Sequence, residues 1–320
     1  MIERRLCLTI LMMAQLISFS QVKPRLIDDL AIVTIRLEGY PDWIEIDKTS
    51  VWISNGGLMQ RINPETNDIM AAVTVNQPCA AFTIGFGSVW VASCGEKSIV
   101  RISLESNKII ARVPLSIADD EGSIVAAEGG VWVLSDAKGI LTRIDPDKNS
   151  IVATISVKPY SFAVMAGYGS IWITNTGDVK TSKAGSVQRI DPRTNKVIST
   201  IPVGNQPRFL AVGEGGVWAF NQVDGTVSRI DPFTNKVVAV IDCAVPGRGG
   251  DIAAGEGYVW VRAKKALLLM IDPQSNKIVE TLGPPAGSGA VRAGWGAAWV
   301  SAHDINKVWK LKPALIRKKN

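Results

Sequence analysis

The chain has 320 residues, of which 47% are hydrophobic and 20% charged, and its formal net charge is +6. This composition is that of a globular protein and excludes a disordered or fibrous chain. The charges are scattered along the sequence instead of clustering beside stacking aromatic residues, so the composition also argues against nucleic-acid binding.

The chain begins with a segment typical of a secretory signal peptide. Two arginines precede an apolar run over residues 6–18, and Ser18 and Ser20 place small residues just before a cleavage site. We therefore expect residues 1–20 to be removed and residues 21–320 to form one periplasmic or secreted domain; an uncleaved anchor is the alternative. No later segment has the uncharged apolar length of a membrane span, so none is expected in the mature chain.

A tryptophan that follows a small or β-branched apolar residue recurs about every 40 residues. The seven pairs are Val51-Trp52, Val89-Trp90, Val131-Trp132, Ile171-Trp172, Val217-Trp218, Val259-Trp260 and Ala298-Trp299. A period of about 40 residues with several short strands in each unit is typical of β-propeller blades. A large aromatic at one repeat position is best explained by packing between blades.

Each unit predicts four antiparallel strands, as the fifth unit illustrates. Its apolar or alternating segments are residues 208–212, 217–220, 226–230 and 237–241. Glycine-rich turns separate the first two strands, and an Asp-Pro-x-Thr-Asn turn at 231–235 separates the last two.

The two ends of the chain predict how the ring closes. The last unit stops after a third strand at 307–311, whereas the mature chain opens with residues 31–37, which resemble the fourth strand at 151–157. The N-terminal strand should therefore complete blade seven, leaving no open edge at the seam. The sequence thus predicts an all-β, seven-bladed propeller with its repeats over about 31–313.

One face of this propeller is expected to carry the function. The glycine-rich turns and the turns of the Asp-Pro-x-Thr-Asn type lie on one face and resemble one another from blade to blade, whereas the second-to-third-strand loops and the blade connections lie on the other and vary. Varied loops on a rigid scaffold favour a ligand site at the mouth of the central channel, although a solvated rim without a ligand is the alternative. The candidate ligand-binding residues are Trp43, Asp136, Tyr160, Arg208, Phe209, Arg248 and Asp251.

His303 is the only histidine of the chain, and it lies on this variable face beside Asp304. The pair are candidate catalytic residues, a base oriented by a carboxylate, although the interpretation of His303 as an ordinary loop residue is favoured. A single histidine excludes a site of several histidines, and the acidic run 119–121 lacks the spacing of a calcium loop. We therefore expect no metal site and no cofactor.

The cysteines predict one disulfide. Cys79 begins the first strand of the second unit and Cys94 follows its second strand. If Ile84 opposes Val89, the two cysteines face each other, and an oxidising compartment permits a bond between them. Cys243 is then left free, unless all three are simply small buried residues.

The repeat resembles the YVTN-type β-propeller repeats of bacterial surface and periplasmic proteins. Residues 172–175, Trp-Ile-Thr-Asn, stand where that family has Tyr-Val-Thr-Asn, and residues 189–197 and 229–237 fit the same consensus. The resemblance implies the propeller fold over essentially the whole mature chain and implies little about activity.

The unit is also similar to that of streptogramin (virginiamycin B) lyases, which are seven-bladed propellers. The matching residues are Pro207, Ala211, Gly213, Gly216, Trp218 and Ile230. The resemblance implies opening of a lactone ring by elimination, with a histidine base and Mg²⁺. Those repeats often carry a glutamate three residues after the tryptophan, and no copy does here.

Two hypotheses about function follow. The first is a non-catalytic exported propeller, monomeric, that binds a small molecule, glycan or envelope protein on the variable face. The second is a C–O lyase or lactone-opening enzyme that uses His303 as its base, with Mg²⁺ as its cofactor. A quinoprotein dehydrogenase is a third interpretation, but the chain is short for that class and lacks its cofactor signatures.

Overall fold

The described part of the chain forms seven antiparallel blades in a ring. The computed structural model describes residues 24–317 except 80, 81, 120, 122, 123 and 178–184. Six blades are built from consecutive strands and the seventh combines both ends of the chain. The predicted all-β, seven-bladed propeller is confirmed. The expected signal peptide, residues 1–20, lies outside the described residues.

We number the blades in chain order and letter their strands A to D from the channel outward. Blades 1 to 3 comprise Pro41–Ile46, Val51–Asn55, Leu58–Ile62 and Ile69–Thr74; Thr83–Gly85, Ser88–Ser93, Ser98–Ser103 and Ile109–Pro114; and Ile124–Ala127, Gly130–Asp136, Ile140–Asp145 and Ser150–Ser156. Blades 4 and 5 comprise Ser161–Gly167, Ser170–Asn175, Ser186–Asp191 and Lys196–Pro202; and Pro207–Gly213, Gly216–Asn221, Thr226–Asp231 and Lys236–Asp242. Blades 6 and 7 comprise Gly250–Gly255, Tyr258–Ala263, Leu268–Asp272 and Lys277–Gly283; and Val291–Gly294, Ala297–Ala302, Lys307–Leu311 and Ala31–Arg36.

The A strands surround the central channel. Those of successive blades contact one another, and that of blade 7 contacts that of blade 1, which closes the ring. The D strands form the outer wall, where alternate residues are exposed, as in Lys236–Asp242. A short α-helix, Pro313–Ile316, and two 3₁₀ turns, Ile27–Asp29 and His303–Ile305, lie outside the blade strands. Within the described residues, no helix is long and apolar enough to cross a membrane.

Both ends of the chain meet in the last two blades. Ala31–Arg36 pairs antiparallel with Lys307–Leu311 and supplies strand D of blade 7, as predicted. Nearer the N-terminus, Arg25–Leu26 pairs parallel with strand D of blade 6 and adds a fifth strand that the sequence did not indicate. Because these contacts join distant parts of the chain, they lock the ring shut.

The seven repeated tryptophans are fully buried, and their predicted packing role is confirmed. Each lies on strand B, and in blade 5 the indole Nε1 of Trp218 donates to the carbonyl of Gly213 at 3.0 Å. Blades 2 to 7 all contain this bond. In blade 1 the Nε1 of Trp52 has no partner among the described residues.

In blades 1 to 5, an arginine on strand C forms hydrogen bonds to the turn between strands C and D of the next blade. The guanidinium of Arg189 lies 4.8 Å from the ring centre of Trp172, and its Nη1 donates to Pro232 O at 2.6 Å and to Asn235 Oδ1 at 3.0 Å in blade 5. Charged donors make stronger hydrogen bonds than neutral ones, and stacking on the indole adds to them. Blades 1, 2, 3 and 5 have the same brace. The Asp-Pro-x-Thr-Asn turn therefore serves as the acceptor of its neighbour's arginine as well as a tight turn.

The brace is absent where its acceptor is absent. Blade 7 has no turn between strands C and D, because its strand D comes from the other end of the chain. In blade 6, an arginine at the equivalent position of strand C would have no such turn to bind, and Met270 stands at that position, opposite Trp260. Blade 7 in turn reaches blade 1 with Lys310, whose Nζ lies 5.0 Å from the ring centre of Trp299 and donates to the carbonyl of Pro64.

Candidate functional site

The central channel narrows sharply inside the ring. Six of the seven blades contribute side chains to this constriction, which leaves a cavity of only about 30 Å³. A space of that size holds roughly two water molecules. The side chains around this cavity, here called the channel plug, leave no room inside it for a ligand larger than a few water molecules.

A buried ion-pair network forms part of this plug. Arg292 donates through Nε to Glu45 Oε1 at 2.9 Å and through Nη1 to Asp251 Oδ2 at 2.5 Å. Burial raises the pKa of both carboxyl groups, and Arg292 counteracts that rise. Burial alone would lower the pKa of Arg292, but the two carboxylates raise it. One guanidinium thus holds blades 1, 6 and 7 together across the channel.

Aromatic rings form the apolar part of the plug. Phe209 packs 6.1 Å from Trp43 and 5.6 Å from Phe162, measured between ring centres. Cations lie over two of these rings, Arg292 at 5.7 Å from Trp43 and Arg208 at 4.0 Å from Phe162. Rings and guanidinium groups stacked in this way form a rigid floor at the bottom of the mouth.

A wider depression of about 330 Å³ opens at the mouth on the variable face, between blades 1 and 2. Its wall includes Tyr40, Asp42, Trp43, Asn55 and Glu121. Trp43 and Glu121 also line the constriction, so the depression leads directly to the channel plug. Its volume is within the range of pockets that hold small organic ligands.

Asp42 is an electrostatically perturbed carboxyl group at this mouth. Burial raises the pKa of Asp42 to about 6. The nearby carboxylates of Asp251 and Glu121 raise it further, whereas His303 and Arg262 act in the opposite direction. No described residue donates a hydrogen bond to its carboxylate. Asp42 is thus a poorly solvated acid without a partner, which is characteristic of functional sites as well as of strained structural ones.

The guanidinium groups of Arg262 and Arg208, near Asp42, donate hydrogen bonds to other acceptors. Arg262 is fully buried, and within the described part of the chain its guanidinium donates to the backbone carbonyls of Ser301, Ala263 and Gly287. Its burial lowers its pKa to about 10. Arg208 donates through Nη2 to Glu121 Oε2 at 2.9 Å, which fixes that carboxylate at the rim.

His303 and Asp304 occupy the 3₁₀ turn at the end of strand B in blade 7. His303 is half-buried and close enough to Asp42 to affect its ionisation. Asp304 is exposed and accepts a hydrogen bond from the backbone N–H of Gly287 at 2.7 Å. Asp42, from the opposite end of the sequence, is therefore the carboxylate that interacts electrostatically with His303. The catalytic roles assigned to His303 and Asp304 remain predictions.

The predicted ligand-binding residues fall into two groups. Trp43, Phe209 and Asp251 line the constriction, and Arg208 stacks at its edge.

Asp136, Tyr160 and Arg248 lie on the same face but line neither the constriction nor the depression. Asp136 is exposed and its Oδ1 accepts from Lys138 N at 2.7 Å. Tyr160 is 54% exposed, and its backbone carbonyl accepts from Thr176. The structure gives Arg248 an exposed position.

Sequence reasoning missed the charged side chains inside the ring. Glu45, Arg262 and Arg292 stand within A and B strands whose other residues are mostly apolar. A charged residue in a strand with few other polar positions is the signal that was available, since burial of a charge requires a specific partner.

The predicted disulfide is present beside the depression. Cys79 and Cys94 are bonded, with their Cα atoms 5.6 Å apart, and Cys243 is free and buried. Ile84 does pair with Val89, but the register then shifts so that Pro78 opposes Ser93, and the two cysteines are staggered rather than directly opposite. Cys79 also lines the depression, so the bond braces its wall.

No protein-family model matches the chain, and no curated protein matches its sequence. Among solved structures it is similar to a streptogramin B lyase, with a TM-score of 0.72 and 17% identity over 88% of this chain and 96% of that one. It is also similar to virginiamycin B lyase from Staphylococcus aureus, with a TM-score of 0.70 and 17% identity over 88% and 98% of the two chains. BamB from Moraxella catarrhalis gives a TM-score of 0.61 and 11% identity over 88% and 99%. At these identities the comparisons define the class of protein, a β-propeller, and its fold alone.

Proposed function

We propose that this chain is an exported β-propeller that binds a small molecule, glycan or protein partner at the mouth of its channel without transforming it. The observation that carries the proposal is the depression of about 330 Å³ on the variable face. It joins exposed aromatic surface, two carboxylates and a rigid floor at one place, the combination by which pockets orient organic ligands.

The site is held ready by the scaffold beneath it. The triad of Arg292, Glu45 and Asp251 and the stacked rings fix the floor, and the disulfide fixes one wall. A preorganised site loses less conformational entropy when a ligand binds. The same disulfide supports export, because such bonds persist in oxidising compartments. We also retain the YVTN-type repeat as the proposed family.

A thermal-shift screen of envelope sugars, lactones and divalent metals tests the proposal. Tyr40 is 69% exposed, so Tyr40→Ala should fold normally while removing part of the wall. Phe233→Ala is the matched control, because Phe233 is an aromatic residue, 81% exposed, in a turn of the opposite face. A ligand that stabilises the protein and the control but not Tyr40→Ala supports the site. A ligand sensitive only to Phe233→Ala, or no ligand from a broad screen, contradicts it.

The second candidate function is a C–O lyase with His303 as base. Two observations support it. His303 lies at the mouth, where it interacts electrostatically with Asp42, and the fold is similar to that of the two lyases. Among the described residues no group of three or more His, Cys, Asp or Glu could hold a metal ion, so we derive no step that uses Mg²⁺. Turnover of a cyclic lactone by the wild-type protein, lost in His303→Ala with an unchanged circular dichroism spectrum, would favour the lyase over the binding protein.

A further inference from the structure

The depression is negatively charged, although the chain as a whole is positive. The formal charge of the chain is +6, yet the charged residues that line the depression are Asp42 and Glu121, both acidic. Among the described residues that line it, none is a lysine, arginine or histidine. Arg262 donates to three backbone carbonyls, and Arg208 forms an ion pair with Glu121, so Asp42 is the lining carboxylate without an ion-pair partner among the described residues. The local field at this wall therefore attracts cations.

Two acceptors in this wall lack donors. The carboxylate of Asp42 receives no hydrogen bond from the described part of the chain. Asn55 is only 2% exposed, and its Oδ1 is buried without a partner while its Nδ2 donates to Glu38 O and Gln60 Oε1 at 2.8 Å. Buried acceptors are normally satisfied, and leaving one without a donor costs about 1–3 kcal/mol. A ligand that brings N–H groups would supply the donor that Asp42 lacks, and the carbonyl dipole of Asn55 adds to the negative potential.

Aromatic side chains complete the wall. Tyr40 is largely exposed, and Trp43 is half-buried at the bottom of the depression. Aromatic faces attract organic cations and also cover the apolar body that such a cation carries. The volume of about 330 Å³ is larger than a bare ion needs and suits a small organic molecule.

A metal ion fits this wall less well. Hard divalent cations require several oxygen ligands at fixed distances. Within the described residues no set of three or more His, Cys, Asp or Glu is placed to bind one. Two carboxylates beside two aromatic rings match a nitrogen cation with an organic body instead.

Resting on the proposed function of this mouth, we propose that its ligand is an organic cation, a primary ammonium or guanidinium group attached to an apolar or aromatic body. The cationic nitrogen donates to the carboxylate of Asp42, and Tyr40 and Trp43 contact the body of the ligand. Asp42 is thus the specificity-determining residue of the depression.

Calorimetric titration with three probes of nearly equal shape tests this inference. The probes are benzylammonium, benzyl alcohol and benzoate, which are cationic, neutral and anionic. Each is titrated at low ionic strength into the wild-type protein, Asp42→Asn and Asp136→Asn. The last variant is the matched control, because Asp136 is a carboxylate on the same face that does not line the depression.

We expect benzylammonium to bind the wild type about tenfold more tightly than benzyl alcohol, which corresponds to one charge-assisted hydrogen bond, and benzoate to bind least. Asp42→Asn should remove this preference and Asp136→Asn should keep it. Equal binding of the three probes, tighter binding of benzoate, or a preference that survives in Asp42→Asn would overturn the inference.

These outcomes separate the inference from the proposed function. If benzyl alcohol or benzoate binds best and Tyr40→Ala abolishes that binding, the mouth is a ligand site and only the charge of its ligand is wrongly assigned. If benzylammonium does not bind at all, the inference fails, and the screen with sugars and lactones then decides whether the proposed function fails with it.

Discussion

Asp42→Asn should make the stability of the protein less dependent on pH. The pKa of Asp42 rises from 3.8 to about 6 on folding, chiefly because the carboxyl group is buried. The folded state therefore holds the proton more tightly than the unfolded state. This tighter binding of the proton stabilises the folded state in full below pH 3.8, and the stabilisation is lost as the pH rises through about 6.

The size of the effect follows from the shift. A difference of about two pKa units corresponds to about 3 kcal/mol, of which about 2–3 kcal/mol should appear between pH 4 and pH 8. Because asparagine does not ionise, Asp42→Asn should gain that amount relative to the wild type as the pH is raised over this interval. Comparing two pH values cancels any constant cost of placing an amide there.

Urea unfolding of both proteins, followed by tryptophan fluorescence at pH 4 and pH 8, measures the difference. Asp136→Asn controls for the loss of one negative charge from the same face. A stability difference between Asp42→Asn and wild type that is the same at both pH values would refute the reasoning. A stabilising Asp42→Asn that also loses benzylammonium binding would show that the wild type sacrifices stability for function.

Three further predictions concern the braces, the cysteines and the ligand. Arg189→Gln should lower the free energy of unfolding by about 2 kcal/mol, because it removes charge-assisted bonds to blade 5, whereas Met270→Arg should give no gain in the same urea assay, since blade 7 offers no acceptor turn. Alkylation of the mature protein, denatured but not reduced, should label Cys243 alone by mass spectrometry; a second labelled thiol contradicts the disulfide. The affinity for benzylammonium should fall about tenfold by calorimetry between pH 7 and pH 5 as Asp42 takes up its proton, and a flat profile argues against that carboxylate.

Much of the fold was predictable because it repeats. A tryptophan buried at the same point of every blade recurs at a visible spacing, and the four strands of each unit follow from alternation and turn residues. The closing strand could be identified from one missing strand and one surplus strand, since every blade must complete its ladder of hydrogen bonds. Cys79 and Cys94 were paired from their positions on neighbouring strands, although the shift in register between Pro78 and Ser93 was not foreseen.

The candidate site was predictable only as a face. Sequence reasoning placed Trp43, Arg208, Phe209 and Asp251 at the channel, because variable blade connections converge there. It also included Asp136, which lies on the same face but outside the lining. Which residues of a face point inward depends on strand twist and on the bulges at the ends of the A strands, and neither leaves a clear pattern in the sequence.

Sequence alone determined the class of this protein, because a propeller is built from local repeats and each repeat carries its own pattern of strand and turn residues. The tertiary structure decided the chemistry of the mouth. It brings Arg292 to Asp251, 41 residues away, and to Glu45, 247 residues away. It also places Asp42 near His303 while leaving the Asp42 carboxylate without a donor. A ring joins residues from both ends of the chain at its centre, and electrostatic energy depends on distance and burial in space rather than on separation along the sequence.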